Sequence, residues 1–143
     1  MTEQKTTLYG NGNLNEQVLI QFAKSVEPLT APVDWRDLTG WYAVGLTSMD
    51  GAQAIGYWAD DETEYVDPVR ITGDHKVALR LAKEHQQECV FRFKTIKQVS
   101  YHDTLRKALQ YCQTTQGATV FKVRFGRNIR YAVIEAEGDL IYP

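Results

Sequence analysis

Apolar side chains fall at every fourth position from Leu14 through Val18 and Phe22 to Val26. That spacing predicts an amphipathic helix over 14–26. Asn13, with Glu16 three positions later, supplies a start signal. Pro28 supplies a stop, because proline disfavours helix in the residue before it. The period then disappears: residues 27–35 (EPLTAPVDW) form an extended connector with two prolines. Residues 41–46 (WYAVGL) and 53–58 (QAIGYW) are strand-like, and Asp50-Gly51 offers the positive-φ step that a hairpin between them needs.

Residues 60–68 (DDETEYVDP) form an acidic loop. Asp74 caps a helix over 74–87 whose buried stripe is Val77, Ala78, Leu81 and Ala82. A strand over 89–97 follows. Ser100 and Asp103 form a second capping pair. The helix they open runs to about residue 116, stripes Leu105, Ala108, Leu109 and Cys112, and stops at Gly117. Strands over 119–125 and 129–136 flank a turn at Gly126-Arg127-Asn128. Glu137-Gly138-Asp139 then turns the chain into a short last strand, 140–142.

Strand, helix and strand over 89–125 make a crossover unit, so the two strands run parallel in a right-handed connection. The following hairpin adds antiparallel pairing. The expected fold is α+β: a mixed sheet with helices mainly on one face, in one domain spanning 1–143. Residues 1–12 are flexible by composition. The segments 74–97 and 103–125 share a helix–strand order but are too few for a solenoid. Whether the hairpin over 41–58 extends the main sheet or forms a second one stays open.

The apolar fraction is 43% and the charged fraction 24%, ordinary for a soluble globular protein. No apolar run approaches the roughly 20 residues needed to span a bilayer. The start, MTEQKTTLYGNG, has neither the basic residues nor the apolar stretch of a secretory signal. A cytoplasmic location without membrane contact is the resulting expectation. The net charge of −2 conceals a segregation: residues 50–69 hold six acidic and no basic side chains, and residues 70–130 hold thirteen basic and four acidic. Local sign therefore matters more than net charge for the choice of partner.

That basic segment contains two alternating runs, VFRFKTI at 90–96 and VFKVRFG at 120–126. Alternation puts Phe91 and Phe93 on one face and Arg92 and Lys94 on the other. It does the same for Phe121, Val123 and Phe125 against Lys122 and Arg124. With the aromatic faces packed on the helices, the four cations line the opposite face, where their repulsion calls for offsetting anions: the 60–67 run or an external partner. Trp35, Trp41 and Trp58 share one 24-residue window, and Trp41 and Trp58 on the hairpin can floor a ligand pocket or a protein contact.

Other motifs carry less. Cys89 and Cys112 are expected to be reduced and buried in the core. His85 stands four residues before Cys89, but His75 lies ten residues away, about 15 Å along a helix axis, too far for one tetrahedral metal site. Ser48, Ser100, His102 and Asp103 have the residue types of a hydrolytic triad without a nucleophile elbow. GNGNLNEQ lacks the third glycine and the lysine of phosphate-binding loops. The acidic run lacks the spacing and central glycine of a calcium loop. No cofactor and no metal are expected.

These features point to a small binding, adaptor or inhibitor module without catalysis. It would meet a protein partner or a second copy of itself through Arg92, Lys94, Lys122 and Arg124, or through Trp41 and Trp58. A small-ligand binder or small enzyme with a pocket near the tryptophans is the alternative. A nucleic-acid binder is a third reading, weakened because the basic face lacks interleaved aromatics for stacking bases.

Overall fold

A computed structural model of the chain describes residues 6–9, 12–13 and 16–143, with side chains from Leu19 onward. In chain order the elements are β1 (Thr6–Tyr9), β2 (Gly12–Asn13), α1 (Glu16–Ser25), β3 (Leu29–Thr30), a 3-10 turn (Trp35–Leu38), β4 (Tyr42–Gly45), β5 (Ala54–Ala59), β6 (Thr63–Thr72), α2 (His75–Glu84), β7 (Val90–His102), α3 (Leu105–Cys112), β8 (Gly117–Phe125) and β9 (Asn128–Ile141). The fold is α+β, with three helices on a mixed sheet whose seven longer strands include one parallel pair, β1 with β6. The two-residue β3 also lies parallel along β8. Among the described residues no helix is long and apolar enough to cross a membrane. The capping side chains expected at Asn13 and Glu16, and the helix positions Leu14 and Val18, lie outside the described side chains.

Strand pairing returns to its starting point. β6 pairs with β4, β4 with β7, β7 with β9, β9 with β8, β8 with β5, and β5 again with β6, every step antiparallel. Six strands therefore close a ring, which removes most free edges. Because both β7 and β8 run antiparallel to β9, they are parallel to each other. The crossover through α3 is present, with β9 inserted between its two strands.

The expected hairpin between residues 41–46 and 53–58 does not form. β4 and β5 take opposite edges of β6: the amide of Leu46 donates to the Pro68 carbonyl at 2.8 Å, and that of Gln53 to the adjacent Val69 carbonyl at 2.8 Å. Neighbouring carbonyls of a strand point to opposite sides, so residues 46–53 cross β6. Gly51 does take the positive φ, +81°. It serves a turn closed by the Ala52 amide on the Met49 carbonyl at 3.0 Å, inside the crossing loop. The acidic loop also resolves differently. Asp60 accepts from the amides of Glu62 and Thr63, making the tight corner of a β5–β6 hairpin, and residues 63–68 are already strand.

Even-numbered positions of β4, β6 and β8, and of β7 before its register shifts after Phe93, face outward under the helices. Phe22 of α1, Val26 just after it, and Leu105, Ala108 and Cys112 from α3 pack on Ile55, Tyr57, Val66, Val120 and Val133. Ala78 and Ala82 of α2 pack on Tyr42, Val44 and Val90. Each large apolar side chain fully buried this way contributes about 1.5–3 kcal/mol before entropy is counted. The opposite face lines the ring: Ala54, Phe121, Val123, Ala132 and Ile134, closed over by Trp35. The aromatic face of β8 thus packs inside the ring and not on helices, as alternation alone suggested.

Helix ends follow local chemistry. Asp74 accepts from the amides of Lys76 and Val77 at 2.8 and 3.1 Å. α3 is capped by Thr104, accepting from Lys107 at 3.1 Å, and not by the Ser100/Asp103 pair. The reason is that β7 stays paired with β9 as far as His102 opposite Tyr131, and a ladder already engaged outweighs a local cap. α3 ends at Cys112, and Gly117 opens β8 opposite Trp58. The turn expected at Glu137-Gly138-Asp139 is absent because β9 runs straight through. Gly138 is there for space: a Cβ would overlap the Phe91 ring and the Arg92 carbonyl.

Candidate functional site

Alternation places Arg92, Lys94, Lys122 and Arg124 on the outer face, away from Phe91, Phe93 and Phe121, but does not assemble them. β9 separates the strands, and the pairs are far apart along it: Arg92 stands opposite Asp139, Lys122 opposite Tyr131 and Arg124 opposite Ile129. At about 3.3 Å per residue that offset is on the order of 25–30 Å. A β9 carboxylate, Glu137, matches two of the β7 lysines. Lys97 pairs with Glu137 at 2.6 Å, and Lys97, then Lys94, hold the Glu137 carboxyl below its usual range. Arg92 lies over the Tyr42 ring, 5.8 Å from its centroid.

Lys122 is only 9% exposed. Its ammonium donates to the carbonyls of Ala23 and Val26 at 2.5 and 3.1 Å, closing the C-terminal end of α1. A cation suits that end of a helix, where the last carbonyls lack partners. Its environment is that of a structural clamp, and Arg124 is left as the exposed cation of β8.

The tryptophans are likewise separate. Trp58, 49% exposed, stacks on Tyr65 with ring centroids 4.0 Å apart at the start of β6. Trp41, 44% exposed, lies against Gly73 just beyond the end of β6, where an added Cβ would sit 3.0 Å from the indole. Trp35 is buried and packs 5.2 Å from Phe121.

The remaining chemical candidates scatter. His75 meets the Tyr42 hydroxyl at 2.9 Å, and His85 meets the Thr47 amide at 3.1 Å. His102 lies 2.9 Å from the Ser100 hydroxyl, but Asp103 turns to Arg130 at 3.2 Å, so the triad types do not converge. Among the described residues no three His, Cys, Asp or Glu side chains gather to hold a metal. Both cysteines are free; Cys112 is buried, whereas Cys89 is half-buried and precedes β7. Burial of Cys89 is thus corrected: it lies in the turn after α2, outside the ladder. Glu64 is buried on the outer face, accepting from Tyr57 at 2.9 Å and Gln113 at 3.3 Å.

The topology also opens a concavity. β8 pairs with β5 only as far as Val120 opposite Ile55, and with β3 only from Val123. Between them the ring has a seam. Two irregular segments border it: the strap over 27–41 and the crossing loop over 46–53. The seam opens into a cleft of about 1080 Å³. Phe121, Ile71 and Trp35 form its floor, Trp41 stands on its rim, and Asp37 and Asp50 line it from opposite borders. Arg70, also lining it, donates to the Gly51 carbonyl at 3.2 Å and so holds the crossing loop.

Trp41 thus belongs to this cleft and Trp58 does not. The strap residues Glu27, Asp37 and Leu38 were not singled out by sequence pattern. The available signal was an aperiodic stretch with two prolines between periodic elements, the kind of loop on which binding residues concentrate. No family model, curated protein or solved structure matches the chain.

Proposed function

We propose that the protein is a binding protein that takes a small organic ligand, or one side chain of a larger partner, in the seam cleft. The observation that carries this reading is the seam itself. The β5–β8 ladder stops at Val120 and β3 joins β8 only from Val123, and there the chain leaves an apolar floor open to solvent under a half-exposed indole. Small-molecule sites are typically clefts of about 300–1,000 Å³ with apolar walls and a few polar groups on the rim. An apolar hollow of this kind, left unfilled, gives up packing that neighbouring strands obtain. The basic outer face supports a partner less well, because its cations are dispersed, matched by β9, or buried in the case of Lys122.

The test is native mass spectrometry of the protein purified gently from its own cells, beside Ala52→Trp, which adds an indole to the cleft lining. A bound small molecule or partner on the natural chain, lost from folded A52W, is the expected result. A bound species that persists in A52W, or its absence from the natural chain, counts against the cleft.

A further inference from the structure

We infer that the seam cleft selects an organic cation: an ammonium or guanidinium group carried on an apolar body. This rests on the cleft being the binding site, and adds the charge and chemical class of what enters it.

The first observation is the origin of the charges. Glu27 follows α1, Asp37 lies in the 3-10 turn and Asp50 in the crossing loop, so three separate segments each bring a carboxylate to the same cleft. Asp34, the fourth, is held by Arg36, whose guanidinium donates to both carboxylate oxygens at 3.0 Å. Glu27, Asp37 and Asp50 take part in none of the ion pairs found among the described residues. Arg36 lies in the field of Asp37 but is engaged by Asp34. Arg70 faces the crossing-loop backbone. Even with both arginines counted, acidic groups outnumber basic ones, so an anion entering the cleft meets repulsion and a cation meets attraction.

The second observation is the surface beneath those charges. Trp41 keeps nearly half of its area open on the rim, and an indole face is the best aromatic partner for a cation. Phe121, Ile71 and the buried Trp35 lie below it. A small hydrated metal ion gains nothing from that floor. A cation with an apolar body uses both layers: the body displaces water from the floor, and the charge sits between Trp41 and the carboxylates.

The experiment uses the whole chain and five probes: phenethylamine, agmatine and benzyltrimethylammonium as cations, 3-phenylpropionate as the anion, and benzyl alcohol as the neutral body. Binding is read by tryptophan fluorescence and checked by calorimetry, up to about 10 mM probe. The expected result is saturable binding of the cations, weaker at high salt. The double variant Asp37→Asn, Asp50→Asn should weaken it by about tenfold, while Asp61→Asn at the β5–β6 corner leaves it unchanged. Circular dichroism confirms folding, and Ala52→Phe replaces A52W if the latter does not fold. Anion or neutral probe bound as tightly as the cations, or cation binding unaffected by the double variant, overturns the cation class; loss of that binding in A52W would still support the cleft. Cation binding that survives in A52W overturns both. No saturable binding of any cation overturns the inference.

Discussion

The indole nitrogen of Trp35 donates to the hydroxyl of Tyr101 at 2.8 Å, joining residues sixty-six positions apart. This bond ties the strap to β7 across the inside of the ring. The Trp35 ring packs on Phe121, and Phe125 meets Tyr101 edge-on at 5.1 Å. The strap that borders the cleft is thus held from both sides of its one buried tryptophan.

Tyr101→Phe keeps the ring and deletes the acceptor. The buried indole N–H then lacks its partner, at a cost of about 1 kcal/mol. Urea unfolding should show this loss with an unchanged slope, and amides of residues 35–40 should exchange faster than those of β8. Unaltered stability and exchange would mean that the strap is held by packing alone.

Lys122→Met should act at a distance from its own strand. The substitution preserves the apolar stem and removes a charged donor from the Ala23 and Val26 carbonyls. A loss of about 1.5–3 kcal/mol is expected for hydrogen bonds to a charged group. Hydrogen exchange in α1 should quicken while the β8–β9 ladder stays protected. Arg124→Glu, on the same face but exposed, should move stability by no more than about 0.5 kcal/mol. Equal effects of the two changes would remove the distinction between clamp and surface cation.

Lys122 also shows where sequence reasoning stopped. Alternation correctly set Lys122 opposite Phe121, because period two is a property of the strand alone. It could not say which face the helices cover, since that depends on ring closure by strands distant in sequence. The same limit applies at Asp50-Gly51. The positive φ was legible from the residue type, but the identity of the strand that follows was not, and the turn serves a loop crossing β6. Local signals without competition held: Asp74 caps α2 as its spacing implies. Where a long-range ladder competed, it won, as at Ser100, which stays in β7. The α+β class and the crossover were legible for a related reason, since they follow from element order. The cleft was not, because it exists only where the β5–β8 ladder stops and β8 continues.

Gln86 ends α2 with φ +55°. Its amide donates to the Lys83 carbonyl at 3.2 Å, and the Gln87 amide to the Ala82 carbonyl at 2.8 Å. That pair of bonds is the glycine-type helix ending, here made by a residue with a Cβ. Left-handed backbone costs such a residue about 1 kcal/mol or more. Gln86→Gly should therefore stabilise the protein by about 0.5–1 kcal/mol, read as a higher denaturation midpoint. A lower midpoint would show that the Gln86 side chain contributes more than its backbone strain costs.

The protein should lose stability in alkali through groups that burial keeps protonated. Desolvation pushes the Cys112 thiol up from 9.0 to about 12. Tyr57 is raised by burial and then by its bond to Glu64, Tyr131 by burial, and Tyr111 first by its bond to Glu135. Each group holds its proton in the folded chain at a pH where the unfolded chain has released it. The folded state therefore binds more protons, and stability falls as pH rises. The decline should begin near pH 9, the ordinary value of a thiol, and steepen above 10, where these tyrosines ionise in the unfolded chain. Well below pH 9 these groups are protonated in both states and contribute no slope. Denaturation midpoints between pH 7 and 11 measure the curve. Cys112→Ala lowers stability everywhere by opening a cavity, but should flatten the first part of the decline between pH 9 and 10. An unchanged slope in that variant would assign the alkaline loss to the tyrosines and to Cys89, whose thiol burial also raises.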